Sequence, residues 1–157
     1  MKKNTKTTID TTDINILRHL QRDCRITVND LGGHVNLSET PCWRRWKKLE
    51  QQGVVTEYRA ILNRKKLGYD IIGFSQVTLN VHSPEQTDQF EQTIRDFDWV
   101  LMCFCVTGNS DFILQVIARD LDEYYERISE IRRIKTVGAI QSSIAIKEVK
   151  NSSRLPL

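Results

Sequence analysis

Residues 38–49, Ser-Glu-Thr-Pro-Cys-Trp-Arg-Arg-Trp-Lys-Lys-Leu, place apolar and cationic positions at helical spacing. Cys42, Trp46 and Leu49 stand at i, i+4 and i+7 and make one apolar stripe. Trp43, Arg44, Lys47 and Lys48 project elsewhere, so the outer face is cationic and partly aromatic. Ser38 or Thr40 caps the amino end, Pro41 sits in the first turn where a missing N–H costs nothing, and Gly53 stops the helix. Upstream, residues 9–23 form a first helix with Ile14, Leu17 and Leu20 at threes, capped by Asp10 and carrying Asp13 in its first turn. A second helix runs from a cap at Thr27 through Val28, Leu31 and Val35. Gly32 and Gly33 weaken it by roughly 1 kcal/mol each relative to Ala. Asn36-Leu37 is a tight turn into the third helix. The pattern is a helix-turn-helix unit.

After Gly53, residues 54–62 alternate well enough for a strand in the position of a wing or exit strand. Residues 63–71, with Asn63-Arg64-Lys65-Lys66, form a hinge that separates two domains, 9–62 and 72–150. The second half has a different rhythm. Residues 72–81 are a strand, and Ser83-Pro84-Glu85 opens a helix whose stripe is Phe90, Ile94 and Phe97. Residues 99–107 and 112–118 are hairpin strands around Gly108-Asn109-Ser110-Asp111. Asp120 or Asp122 caps a helix carrying Leu121, Tyr124 or Tyr125, Ile128 and Ile131, and a last strand covers 137–149. The order β-α-β-β-α-β predicts an α+β sandwich of ferredoxin-like topology, with an antiparallel sheet and both helices on one face. Residues 151–157 read as an irregular tail.

Charge separates the two halves. Residues 1–65 carry 13 Lys+Arg against 7 Asp+Glu, a net +6, and residues 66–157 carry 10 against 13, a net −3. The first half is therefore suited to a polyanion and the second is not. Residues 1–8 lack the apolar core of a signal peptide and are expected to form a disordered basic arm. No apolar run is long enough to span a bilayer. The four cysteines, 24, 42, 103 and 105, have no C-x-x-C spacing and read as reduced and mostly buried, with Cys24 and Cys42 at or near core positions.

A short helix with a buried stripe and a basic face suits a DNA major groove. Arg44, Arg45, Lys47 and Lys48, the arm lysines and Arg25 are candidates for phosphate contacts. Ser38, Glu39, Thr40, Trp43 and Arg44 are the candidates for base edges, Arg being the residue suited to guanine O6 and N7. Trp43 could meet a thymine methyl or pack within the domain, whereas the register of Trp46 points it to the core. Arg45 suits a phosphate and suits equally an ion pair with an acidic residue of the first helix.

Four motifs carry a family resemblance: Ile9-Asp10-x-x-Asp13-x-x-Ile16-Leu17, Leu37-Ser38-x-Thr40-Pro41-Cys42-x-x-Arg45, Leu49-Glu50-x-x-Gly53-Val54, and Gly108-x-x-Asp111. In their order and spacing the chain resembles the Lrp/AsnC (feast/famine) transcription regulators along essentially its whole length. The resemblance implies a winged helix-turn-helix domain followed by a ferredoxin-like amino-acid-sensing domain. It implies no cofactor beyond a small effector, typically an amino acid, bound at subunit interfaces. It also implies dimers formed through the second domain, assembling further, commonly to octamers. The effector residues it points to are Thr107, Gly108, Asn109, Ser110 and Asp111, with Ser142 and Ser143 on the last strand facing a neighbour. Without the resemblance, 108–111 is a plain hairpin turn. Where the family often has Gly-Asp-x-Asp, this chain has Asn109, an amide that both donates and accepts.

The expected function is therefore sequence-specific regulation of transcription on a palindromic operator, in the cytoplasm and at the nucleoid, with a sequence-tolerant architectural DNA binder as the alternative. An enzyme is not expected. His19, His34 and His82 are scattered, and neither a catalytic constellation nor a phosphate-binding glycine loop is present.

Overall fold

The computed structural model describes residues 8–81 and 83–157. The residues read as a basic arm, apart from Thr8, lie outside these, as does His82. The chain forms two units, 8–61 together with 151–157, and 62–150.

The first unit is built on α1 (Thr11–Leu20), α2 (Val28–Val35) and α3 (Glu39–Gln51). Asp10 and Asp13 close a capping box at the start of α1, each carboxylate accepting the other's backbone N–H at 2.8 and 3.3 Å. Thr27 caps α2, and Ser38 precedes α3 without a side-chain cap. Ile16, Leu17, Leu20, Leu31, Val35, Cys42 and Leu49 form the core, each large aliphatic contributing about 1.5–3 kcal/mol by burial. The stripe on α1 is thus Asp13, Ile16, Leu17 and Leu20, and Ile14 is only half-buried. A spacing of three drifts around a helix, so 14, 17 and 20 cannot all share its inner face. Helix α1 also ends at Leu20, earlier than expected.

Between α2 and α3, Asn36 takes the left-handed conformation (φ 56°), and the Gly32 carbonyl accepts from both Asn36 and Leu37. This folds the Leu37 carbonyl onto Gly32, where a Cβ would lie 2.7 Å from that oxygen. Gly33 faces open space.

The segment 54–62 is not a strand. The N–H groups of Val54 and Val55 turn back to the Leu49 carbonyl and close the end of α3. Both side chains pack on the core, and beyond them no described strand lies alongside to complete a ladder.

The second unit begins with a 3₁₀ turn at Arg64–Leu67, followed by β1 (Ile71–Leu79), α4 (Pro84–Arg95), β2 (Val100–Cys105), β3 (Phe112–Ala118), α5 (Leu121–Arg132) and β4 (Val137–Ile144). The sheet is antiparallel with order β2-β3-β1-β4, the ferredoxin-like arrangement. Ser83 caps α4 and Asp120 caps α5. Phe90, Ile94, Tyr124, Ile128 and Ile131 pack on Val77, Leu79, Phe112, Leu114 and Val116 of one sheet face. Leu121 and Tyr125, read as part of the α5 stripe, are exposed. The last strand stops at Ile144, because β1 offers its final partners at Gly73 and Ile72. Residues 151–157 have no regular structure and belong with the first unit.

The two adjacent glycines give opposite expectations for thermal unfolding. Gly33→Ala stabilises the head by up to about 1 kcal/mol, the ordinary gain for a helix interior. Gly32→Ala destabilises it by about 1–3 kcal/mol through overpacking against the Leu37 carbonyl. Equal shifts for the two variants would contradict the close approach at Gly32.

Candidate nucleic-acid interface

Helix α3 divides by register. Cys42 and Leu49 are buried, and Trp46 packs partly against the same core. Thr40, Arg44 and Lys48 form one outward row at i, i+4 and i+8, and Glu39, Trp43 and Lys47 form the next. All six are exposed, Trp43 by 49%. Ser38 and Arg25 are exposed as well.

Arg45 lies at the edge of this face and turns inward. Its Nη1 donates to Asp10 Oδ2 at 2.7 Å and to Asp13 Oδ1 at 2.8 Å, and the Asp13 side chain is only 4% exposed. The backbone N–H of Asp13 and the Arg45 guanidinium hold the Asp10 carboxyl below its ordinary value. The two carboxylates raise Arg45 in turn. Of the two roles open to Arg45, the ion pair is the one formed.

Around Trp46 a polar chain braces the carboxyl half of α3. The indole N–H donates to the Tyr58 hydroxyl, which donates to Glu50 Oε1 at 2.9 Å, while Glu50 Oε2 accepts from Lys47 at 2.7 Å. Burial, with Glu50 alongside, pushes the Tyr58 hydroxyl up to about 12, so it stays protonated. Lys47 accordingly holds an internal partner. Among the described residues, no salt bridge engages Arg44, Lys48 or Arg25. Tyr58 was not singled out by sequence, since its partner lies at i−8 across an irregular segment.

Two histidines also meet. His19 of α1 and His34 of α2 stack with ring centroids 4.5 Å apart, and burial, His34 and Arg22 all lower His19. They are not scattered as the sequence suggested. Cys24 is exposed rather than near the core, and all four cysteines are free. Cys105 is exposed too, while burial pushes Cys103 up to about 11. Among the described residues no three His, Cys, Asp or Glu side chains gather as a metal site requires, and no helix is long and apolar enough to cross a membrane.

The candidate effector residues fall in two places. In the β2–β3 hairpin, Asp111 Oδ2 accepts the Leu79 N–H at 2.7 Å, the Asp111 N–H bonds to the Val77 carbonyl, and Thr78 Oγ1 reaches the Asn109 carbonyl at 3.5 Å. Gly108 (φ 127°), Thr107 and Asn109 are exposed at the tip, and Ser110 is half-buried. On β4, Ser142 and Ser143 do not face the same way, because successive strand residues point to opposite faces. Ser142 Oγ is 2.9 Å from Ser75 Oγ, which also meets the Tyr124 hydroxyl of α5. Ser143 lies opposite Phe74 on the face without helices. Two grooves of the unit, of about 320 and 490 Å³, are lined by other residues.

Arg45→Ala should lower head stability by about 2 kcal/mol, since it leaves the Asp13 carboxylate buried without its cation. Arg44→Ala should change stability by less than about 0.5 kcal/mol. Because the folded value of Asp10 lies below its ordinary 3.8, its share of the stabilisation is present above that pH and is lost as pH falls through the lower folded value. The gap in thermal stability between wild type and Arg45→Ala should therefore narrow as pH falls below 3.8. A constant gap down to pH 2 would refute this account.

Residues 9–56 match the winged helix-turn-helix DNA-binding family, and residues 72–155 match the Lrp/AsnC ligand binding domain. The chain is 35% identical over 150 residues to the leucine-responsive regulatory protein of Rhizobium meliloti, covering 95% of this chain and 96% of that one. Its Escherichia coli K12 counterpart is 34% identical over 155 residues, covering 98% and 94%. Among solved structures, a transcriptional regulator of Neisseria meningitidis in complex with L-methionine superposes with a TM-score of 0.91 at 33% identity, covering 95% and 97%. Two family matches that together span nearly the whole chain, in the order head then sheet, make it a member of the Lrp/AsnC family of transcriptional regulators.

Proposed function

We propose that the protein is a sequence-specific DNA-binding regulator that reads a palindromic operator as a dimer or higher assembly and is modulated by an amino acid. The observation that carries the DNA half is the outward face of α3, with Thr40-Arg44-Lys48 beside Glu39-Trp43-Lys47 on a helix held in register by Arg45. Arg44, central in the outward row and without a salt bridge among the described residues, is the base reader, with Ser38, Glu39, Thr40 and Trp43 around it. Lys48, Lys47 and Arg25 lie on phosphates. One head presents a small interface, so useful affinity requires two heads on half-sites about one helical turn apart. The family and its DNA-binding head support regulation rather than catalysis, and a site of action with the DNA in the cytoplasm.

The second unit supplies the pairing. Its uncovered sheet face carries exposed Phe74 and Phe104, with Phe104 beside Ile113 across the ladder, and an apolar patch of this kind suits a second copy. Dimers so formed are expected to associate further, up to octamers, which light scattering would measure. The effector sits at a subunit interface against the 107–111 hairpin; Ser143 lies on the uncovered face of β4, open to a neighbouring copy, whereas Ser142 bonds to Ser75. The Neisseria neighbour's L-methionine supports an amino acid as the ligand. Control is by linkage: the ligand must prefer one assembly or head arrangement over another.

For DNA, Arg44→Ala should relax base preference at one position by about 1–3 kcal/mol, whereas Lys48→Ala should weaken all sequences alike and lower the salt slope by about one. Selection from random duplexes followed by salt titration measures both, and equal sequence-blind losses would overturn the assignment of Arg44. For the effector, calorimetry should give heat with at least one apolar amino acid. Asp111→Asn, which keeps an acceptor for the Leu79 N–H but loses the charge, should weaken that binding about tenfold or more. No heat with any common amino acid would sink the sensor reading.

A further inference from the structure

The end of the chain returns to the head and is gripped there. Arg18 in the last turn of α1 and Gln21, its C-cap, stand three apart. Gln21 uses both ends of its amide on one residue: Nε2 donates to the Leu155 carbonyl at 3.3 Å, and Oε1 accepts the Leu155 N–H at 2.6 Å. Arg18 Nε donates to the Leu157 main-chain oxygen at 2.8 Å, while its Nη1 is steadied by Asn15 Oδ1 at 2.9 Å. The segment is shaped to fit. The Leu157 N–H bonds back to the Leu155 carbonyl at 2.9 Å, a γ-turn centred on Pro156, whose ring fixes φ near the value that turn needs. All three bonds from α1 go to main chain, in the manner of a neighbouring strand.

We propose that Arg18 and Gln21 form a docking site for a main-chain segment turned at a proline, and that residues 155–157 of this chain are its occupant, a tethered ligand of the head. Strand β4 ends at Ile144, and residues 145–154 have no regular structure, so the docked segment gives the head a second, hydrogen-bonded attachment besides the covalent crossing at 61–62. A head attached twice has less freedom to lose when two heads engage two half-sites together. This last consequence rests on the operator reading above, and the docking itself does not.

Trypsin reports the docking directly, because the Arg154–Leu155 bond abuts the clasp while the exposed Lys147 and Lys150 serve as internal references. Initial cleavage after Arg154 should be about fivefold faster in Gln21→Ala than in wild type, the factor that one net hydrogen bond carries, with cleavage after Lys150 unchanged. Arg18→Ala, altered at an exposed position that folding does not need, should show the same acceleration, and Arg22→Ala should not. Equal cleavage after Arg154 in wild type and both clasp variants overturns the docking. In the second arm, gel shifts use DNA bearing two selected half-sites one helical turn apart, or one half-site alone. Gln21→Ala should weaken the first about fivefold and leave the second unchanged. Equal losses on both probes overturn the tethering. Failure of wild type to bind either probe would instead count against the operator reading, with the protease result still deciding the clasp.

Discussion

Arg45 Nη1, shared between the carboxylates of Asp10 and Asp13, is the contact on which the reading head's geometry depends. The apolar core of the head is non-directional, and a stripe of Cys42, Trp46 and Leu49 could pack against Ile16, Leu17 and Leu20 with α3 rotated by a fraction of a turn. The ion pair removes that freedom. It joins the middle of α3 to the first turn of α1, and the same two carboxylates close the capping box that starts α1. One small cluster therefore decides where α1 begins and which side of α3 faces out. The pair joins α3 to α1 at a defined point, and the outward rows of α3 depend on that arrangement. The chain Trp46–Tyr58–Glu50–Lys47 then fixes the far half of the same helix.

The second unit solves a different problem with the same economy. A β-α-β-β-α-β chain covers one sheet face with its own helices and leaves the other bare. On the covered face, Gly73 gives the Tyr124 ring room to lie against the central strand, where its hydroxyl meets Ser75 and, through it, Ser142 of β4. On the bare face, Phe74 and Phe104 stay in contact with solvent in a single chain. Membership of the Lrp/AsnC family gives both faces a context: a ligand-binding domain whose own helices complete half of its packing.

Periodicity carried most of the architecture, because amphipathic stripes and caps are local properties. Thr27, Ser83, Asp10 and Asp120 all cap the helices their positions suggested. What failed was non-local. Residues 54–62 alternate like a strand, yet alternation cannot supply a partner, and Val54 and Val55 were taken by the end of α3. Ser142 and Ser143 were grouped as neighbours in sequence, which a strand makes neighbours on opposite faces. Arg45 was legible only as a choice between two roles, since the carboxylates that settle it lie 32 and 35 residues away. The meeting of His19 with His34, and of Gln21 with Leu155, follow from packing and chain return, neither of which leaves a local pattern. Gly32 and Gly33 look alike in sequence and differ entirely in surroundings.

The return of residues 151–157 to the head has a consequence for how the protein is made. In the order of synthesis the head is a split domain, with the whole sheet unit inserted between its helices and its last segment. The three helices and their core are available early, and domains generally fold as they emerge. The contacts of Arg18 and Gln21 with Leu155 and Leu157 form only after all four strands have been translated. Of the two units, the one begun first is thus completed last.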